Sequence, residues 1–277
     1  MKRTALLYWL LATLANCSVN YDNPSRKPNT GLLPKQQERT IGEYLSPEFK
    51  QWFQNLGHAP VYNQVSKATV KIVPNMSWYA QLGIKTLWIV VNASNEDISF
   101  GGGGLNGVFR DHVDIQYGHD KWWGLRLPDD DYINSTPVVP GQQVPAGGYA
   151  ISDVGRLINE NGITIVNDAT KRGEIYHAVG PRASETTSLS TAQDKVKTLY
   201  YHICKRAAHH TGHLVLPAIS TDVFAAADYT KLSFTKNQFM AAMYEGMYQG
   251  IQQYKTETPG PHQGTCCIIL NNWEPLQ

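Results

Sequence analysis

The sequence has few cysteines and little net charge, and each absence excludes a class of function. Four of the 277 residues are cysteines, and no Cys-x-x-Cys or Cys/His spacing typical of zinc is present. Cys266 and Cys267 are adjacent in an apolar stretch, so we expect reduced, buried thiols and no disulfide framework. Lys and Arg number 24 against 23 Asp and Glu, which excludes a broad basic surface. We therefore predict no metal and no nucleic-acid partner.

Apolar runs long enough to span a bilayer are also missing. The longest, over residues 5–15, follows Lys2 and Arg3 and has the shape of a secretory signal. We interpret residues 1–22 as a signal or an apolar N-terminal segment, with no stable membrane span. The expectation is an exported protein, for example a secreted effector. The alternative is a cytoplasmic protein in which this segment packs on the domain.

Three further regions follow along the chain. Residues 23–60 begin as a linker rich in Pro, Asn, Lys and Gln, with an accessory helix predicted over residues 44–52. From residue 61 to residue 277 strand and helix signals alternate, which predicts one domain. Residues 114–144 break this alternation and contain Trp122 and Trp123, so we expect an insertion near the functional site. These tryptophans either pack the insertion onto the domain or stack on a substrate.

The alternation predicts a layered α/β fold with a mixed, largely parallel central sheet. Several predicted strands are continuous apolar runs, the pattern of strands buried on both faces. The predicted strands are residues 68–73, 86–91, 149–154, 174–179, 213–217 and 266–270. The predicted helices are residues 105–117, 191–210 and 235–254.

Polar and glycine residues follow two of the buried strands. Asn92 and Asn95 come after the strand over residues 86–91 and precede a glycine run at residues 101–104. Ser220, Thr221 and Phe224 follow the strand over residues 213–217. Ligands of α/β sheets bind beyond the carboxyl ends of strands, where glycines and a helix N-terminus accommodate a diphosphate. A flexible loop and an ordinary strand exit are the alternatives.

These stretches, with the strand and Gly-Pro at residues 175–181 between them, resemble the macrodomain family. That family has Asn-Ala-Ala-Asn before a glycine-rich loop, then Ile-His-x-Val-Gly-Pro, then Pro-x-Ile-Ser-Thr-Gly-Val-Phe or Tyr. The resemblance covers roughly residues 68–270. It implies a three-layer α/β/α fold with ADP-ribose in a cleft.

The resemblance also implies the ligand-binding residues. Asn95 is expected at the distal ribose, residues 102–107 at the first phosphate loop and residues 220–224 at the second, with Asn75 as an adenine contact. The full set is Asn75, Asn92, Asn95, Gly102, Gly103, Gly104, Leu105, Asn106, Gly107, Val108, Ser220, Thr221, Asp222, Val223 and Phe224.

The sequence departs from the family at two positions that bear on catalysis. Members that remove ADP-ribose from acidic side chains often carry Asp where this chain has Asn106, and Asp222 replaces a loop glycine. Hydrolysis needs one group to activate water and others to orient the ribose. The candidate catalytic residues are Asp222, Asn95, Asp111 and Asp114; for the last two, a solvated helix face is the alternative.

Three functions remain open at this point. The first is hydrolysis of ADP-ribose from modified protein side chains or a related conjugate. The second is a non-catalytic module that reads ADP-ribose, and the third is a pocket that has changed or lost its ligand. The resemblance implies ADP-ribose or an ADP-ribosylated protein as partner, and no cofactor beyond ADP-ribose as ligand or product. His209, His210 and His213 fit a helix terminus better than a metal site.

Overall fold

The computed structural model describes residues 38–57, 63–65, 68–70, 89–100, 105–107, 109–110, 122–129, 134–153, 174–208, 214–257 and 266–269. From Arg39 onwards these residues belong to one compact unit. The N-terminal segment 1–22 and the helical residues predicted at 111–117 lie outside the described residues.

The strands and helices follow the predicted order. The strands are β1 Asn63–Val65, β2 Ala68–Val70, β3 Ile89–Ser94, β4 Trp123–Pro128, β5 Ser135–Pro137, β6 Tyr149–Asp153, β7 Glu174–Val179, β8 Leu214–Pro217 and β9 Cys266–Ile269. The helices are α1 Ile41–Tyr44, α2 Pro47–Gly57, α3 Leu189–Ala208 and α4 Lys236–Glu257. A further helical segment comprises residues 105–107 and 109–110, within the helix predicted over residues 105–117. None of the described helices has the length and apolar character needed to cross a membrane.

Seven strands form the central sheet in the order β5-β4-β6-β7-β3-β8-β9. The pairs β7-β3, β3-β8 and β8-β9 are parallel, and the pairs β5-β4, β4-β6 and β6-β7 are antiparallel. The predicted mixed sheet is therefore confirmed, with its parallel part at β3 and its antiparallel part at one edge. Strands β4 and β5 lie within residues 114–144, where no strand was predicted.

The side chains of β3 alternate between two hydrophobic clusters, one on each face of the sheet. Ile89 and Val91 belong to a cluster that includes residues of α3 and α4. Val90 belongs to the opposite cluster, with Leu105 and Phe109 of the helical segment. The chain therefore has the three-layer α/β/α arrangement that the sequence predicted.

Helices α1 and α2 are part of this core. The ring of Phe49 is fully buried, and its centroid lies 5.6 Å from Trp52 of α2, 6.2 Å from Tyr244 and 5.9 Å from Tyr248 of α4. The backbone N–H of Ser46 donates to the carboxylate of Glu245 at 2.5 Å. The helix predicted in this region is confirmed as two short helices, and they complete the helical layer.

Candidate functional site

The carboxyl ends of β3, β7 and β8 meet at one edge of the sheet because the three strands are parallel. We call the loops that follow them (residues 95–100, 180–188 and 218–225) the loop edge. The loops after β7 and β8 touch. A Cβ atom at Gly180 would overlap the Oγ atom of Ser220 and the Cγ2 atom of Ile219. The Gly-Pro motif and the Ser-Thr motif of the sequence are thus neighbours in space.

Asn92 is the centre of a buried polar network beside the loop edge. It is fully buried, and its Nδ2 atom donates to Oδ1 of Asn106 at 2.6 Å. The same Nδ2 atom lies 3.1 Å from Nδ1 of His177, the residue opposite Asn92 on β7. Nε2 of His177 lies 2.7 Å from Oγ of Ser152 on β6. The network therefore links β6, β7, β3 and the start of the helical segment.

Donor and acceptor chemistry fixes the direction of every bond in this network. The carbonyl of Ser99 only accepts, so Asn106 donates to it through Nδ2 at 3.1 Å and turns its Oδ1 atom towards Asn92. Asn92 must then present its amide hydrogens, and Nδ1 of His177 accepts one of them. The proton of the neutral imidazole consequently lies on Nε2, which donates to Ser152.

His177 stays neutral at ordinary pH. Burial lowers the pKa of His177 from 6.5 to about 3, because the charged imidazolium is desolvated in the core. The indole ring of Trp122 covers it at a centroid distance of 4.4 Å. This is the geometry of a satisfied core histidine, and the sequence analysis did not predict the bond of His177 to Asn92.

Three buried oxygen atoms near the loop edge have no hydrogen-bond partner within the described ranges. They are Oδ1 of Asn92, Oγ of Ser94 and Oγ of Ser220. Ser220 also has a φ of 64°, a left-handed conformation that costs a non-glycine residue free energy. Buried polar atoms without a partner are rare, since each carries a desolvation cost. Because they lie in the motif residues, these oxygens are candidate contacts for a polar ligand.

Asn95 is bonded within its own loop. Its Nδ2 atom donates to Oγ of Ser99 at 2.7 Å, and its Oδ1 atom accepts from the backbone N–H of Ser99 at 3.0 Å. The side chain lies at the loop edge, where the sequence predicted it. Each of these atoms has a second hydrogen-bonding position, so the amide can bind a ribose and keep its bonds to Ser99.

The loop after β8 is held from beneath by two tyrosines. The hydroxyl of Tyr200 donates to the carbonyl of Pro217 and accepts from the N–H of Ile219. Burial raises the pKa of Tyr244 to about 12, and a hydrogen bond to Thr221 partly offsets this effect. Above this support, Asp222 is exposed and precedes a short 3-10 turn at Val223–Ala225.

Exposed and aromatic side chains follow at the rim of this loop. Val223 is 62% exposed, whereas most large apolar side chains in the described part of the chain are buried. Phe224 is half-buried. The guanidinium of Arg182, from the loop after β7, lies 4.6 Å from the centre of the Phe224 ring. Arg182 also donates to Glu96 in the loop after β3 at 2.9 Å. The sequence analysis did not single out Arg182 or Glu96.

Residues 143 and 144, at the end of the predicted insertion, contact the loop after β3. The N–H of Val144 donates to the carbonyl of Glu96 at 2.8 Å, and Gln143 donates to the carboxylate of Asp97 at 2.7 Å. Trp122 is buried, with its ring 4.7 Å from Phe100. It packs against the core here, as one of the two interpretations of this residue expected.

Several predicted site residues lie outside the described residues: Asn75, Gly102, Gly103, Gly104, Val108, Asp111 and Asp114. The adenine contact, most of the first phosphate loop and two candidate acids thus stay predictions. Leu105, Asn106 and Gly107 are described and buried at the start of the helical segment.

Two further features complete the survey of the described part of the chain. In it, no three His, Cys, Asp or Glu side chains are grouped so that they could hold a metal ion. A cleft of about 560 Å³ lies between the turn at residues 144–149 and the face of α3 that carries Thr191, Lys195 and His202. None of the described residues predicted to bind the ligand lines this cleft, so the cleft and the motif residues lie in different places. We assign the functional site from the chemistry.

Comparison with known proteins gives distant similarity to solved structures. No family model and no curated protein matches the chain. Among solved structures, it is similar to a mutant of the Oceanobacillus iheyensis macrodomain, at 17% identity with a TM-score of 0.43, covering 77% of this chain and 86% of that one. A second mutant, solved with ADPR, gives the same identity and TM-score and is covered to 91%. The same macrodomain with MES bound has a TM-score of 0.42 at 17% identity, covering 77% of this chain and 89% of that one.

Proposed function

We propose that the chain binds ADP-ribose at the loop edge. The observation that carries this proposal is the convergence there of the three motifs whose sequence resembles macrodomains. Asn92 lies on β3, Gly180 follows β7 and Ser220 follows β8, and both Asn92 and Ser220 have a buried oxygen without a partner. Hydroxyl groups of a ribose, or water held beside it, supply the donors that such oxygens need.

The shape of the loop after β8 supports the same ligand. Ser220 adopts its left-handed conformation although it is not glycine, which costs about 1–2 kcal/mol. Strain of this kind concentrates at binding sites, where it fixes the backbone before the ligand arrives. Backbone N–H groups of a loop held in this way suit a phosphate.

We further propose that the chain hydrolyses ADP-ribose from modified side chains or a related conjugate, with Asp222 as the base. Its carboxylate is exposed at the mouth of the loop and accepts a proton from water. The water oxygen forms a bond to the anomeric carbon of the distal ribose. The bond from that carbon to the acceptor side chain breaks, and the acceptor leaves with the electron pair and takes up a proton from solvent.

One observation favours the alternative of a non-catalytic reader. Asn106 stands where hydrolytic macrodomains often carry an aspartate, and its side chain is bonded to Asn92 and to the Ser99 carbonyl. An amide cannot accept a proton from water as a carboxylate does. If Asp222 does not replace that function, ADP-ribose binds without turnover.

Calorimetric titration of the purified chain with ADP-ribose and with AMP tests the binding proposal. We expect a Kd on the order of micromolar for ADP-ribose, clearly tighter than that for AMP. Absence of heat with ADP-ribose at millimolar concentration would refute the proposal. Asn92→Asp, which puts a negative charge beside the network, should weaken binding further than the rim substitution Val223→Ala.

Turnover is tested on ADP-ribosylated protein by release of free ADP-ribose. Asp222→Asn should abolish release and leave the Kd for ADP-ribose within about twofold, because the amide keeps the size of the side chain. Asp228→Asn is the matched control, since Asp228 also precedes a 3-10 turn and is exposed. No release by the unmodified chain on Arg-linked and acid-linked conjugates would leave the reader function standing.

Export by way of residues 1–22 stays a prediction, and we propose it as the route of the protein out of the cytosol. N-terminal sequencing of the protein recovered from the culture medium tests it. Recovery of the uncleaved chain from the cytosol alone would contradict the proposal.

A further inference from the structure

Arg182 joins the three loops of the loop edge. It lies in the loop after β7, its Nη2 atom donates to Glu96 in the loop after β3, and its guanidinium covers Phe224 in the loop after β8. A second carboxylate, of Glu185, lies 3.7 Å from its Nε atom.

This geometry decides which face of Phe224 a ligand can use. A cation over an aromatic face is attracted by the ring quadrupole, so Arg182 holds one face of the ring. The ion pair with Glu96 fixes the guanidinium in turn. Glu96 itself is anchored, because its carbonyl accepts from the N–H of Val144. The ring of Phe224 is therefore held in place relative to Asn95, the residue preceding Glu96.

Burial argues against a role in folding alone. The side chains of Arg182 and Glu96 are 34% and 26% exposed, and ion pairs near the surface add little to stability. Arg206 offers the contrast within the same chain. It is 4% exposed, beside the buried carboxylate of Glu174 at the other end of β7. Arg206 belongs to the core, whereas Arg182 stands at the rim of the proposed site.

We propose that Arg182 is a positioning residue that presents Phe224 to the distal ribose of the ligand; this rests on the proposed function. We infer the distal ribose because Arg182 contacts both Phe224 and Glu96, the residue next to Asn95. The macrodomain resemblance assigns Asn95 to that sugar. Arg182 acts through Phe224 and need not touch the ligand. AMP lacks the distal ribose, so its binding does not depend on Arg182.

The test is calorimetric titration of the full chain and of Arg182→Met with ADP-ribose and with AMP. We expect the Kd for ADP-ribose to rise about three- to tenfold in Arg182→Met, the size expected for a partly exposed cation–π contact with its ion pair. The Kd for AMP and the midpoint of thermal unfolding should stay unchanged. Arg182→Lys keeps the charge and should recover part of the loss. Lys231→Met is the matched control, since Lys231 is an exposed cation paired with an aspartate and far from aromatic rings.

A double substitution separates positioning from direct contact. In the background of Phe224→Leu, Arg182→Met should change the Kd for ADP-ribose by less than about twofold, because the ring it holds is gone. An additive loss, an equal loss for AMP, or an unchanged Kd in Arg182→Met each overturns the inference. If the unmodified chain does not bind ADP-ribose, the proposed function falls and this inference falls with it. Binding by the unmodified chain with no effect of Arg182→Met overturns the inference alone.

Discussion

Replacing Gly180 with alanine introduces a methyl group where the loops after β7 and β8 touch. The new Cβ atom would lie 2.1 Å from Oγ of Ser220 and 2.4 Å from Cγ2 of Ile219. Both distances are more than 1 Å shorter than the roughly 3.5 Å at which non-bonded heavy atoms make contact. Both side chains are buried, so neither can turn into solvent. The loop after β8 must therefore shift as a whole. Overpacking of this kind costs about 1–3 kcal/mol.

Thermal unfolding and ADP-ribose titration measure the two consequences. In a chain of this size, that cost lowers the unfolding midpoint by roughly 2–12 °C. The shift of the loop should also raise the Kd for ADP-ribose. Gly148→Ala is the control, since its nearest atoms, in Pro145 and Val144, lie 3.1 Å away and its loss should be smaller.

The double substitution Gly180→Ala with Ser220→Gly tests the physical cause. Glycine at position 220 removes the overlapping Oγ atom and suits the φ of 64°. The contact with Ile219 remains, so the unfolding midpoint should recover in part. Equal midpoints for Gly180→Ala and the unmodified chain would refute the reasoning, because the two loops would then not be in contact.

Three further substitutions address the buried polar groups. Asn92→Ala removes the donor shared by Asn106 and His177 and should lower the free energy of unfolding in urea by about 2–5 kcal/mol; a loss below about 1 kcal/mol would contradict the network. His177 has a folded pKa of about 3 against 6.5 when unfolded, so the unfolded chain binds the extra proton. Its contribution to stability is complete above pH 6.5 and is lost towards pH 3, by at most about 1.4 kcal/mol per pH unit. His177→Gln should make the free energy of unfolding less dependent on pH, and an unchanged slope would contradict the assignment of this dependence to His177. Tyr200→Phe leaves Pro217 and the N–H of Ile219 without their partner and should cost about 1–3 kcal/mol in the same assay; an unaltered midpoint would argue that these groups are otherwise satisfied.

The parallel centre of the sheet was predictable because its strands are buried on both faces. Such strands read as continuous apolar runs, and the predicted bounds of β7 match Glu174–Val179. Strand β4 gives no such signal. Its residues include Gly124 and Arg126, and the described side chains of the strand are exposed or half-buried. Its pairing with β6 depends on residues distant in sequence, so the stretch gave only the expectation of an insertion.

The candidate site likewise contains some residues that the sequence predicted and others that it did not. Asn92, Asn95 and Ser220 were identified because they belong to motifs with fixed spacing. Arg182 could not be identified, since a single arginine after Gly-Pro forms no pattern. Its role comes from Glu96, 86 residues away, and from Phe224. The two hydrogen bonds between Asn95 and Ser99 are local in sequence. Sequence alone, however, does not decide whether an asparagine side chain bonds to its own loop or to a ligand.

The packing of α2 on α4 bears on how the protein can be handled in solution. A fragment that starts after α2 would uncover Tyr244 and Tyr248, the aromatic surface that Phe49 and Trp52 now cover. Soluble proteins seldom leave contiguous apolar patches open to water, since such patches attract one another. Shortening the chain to the region with macrodomain-like motifs would therefore favour self-association over a smaller monomer. The two short helices set the N-terminal limit of a fragment that stays dispersed.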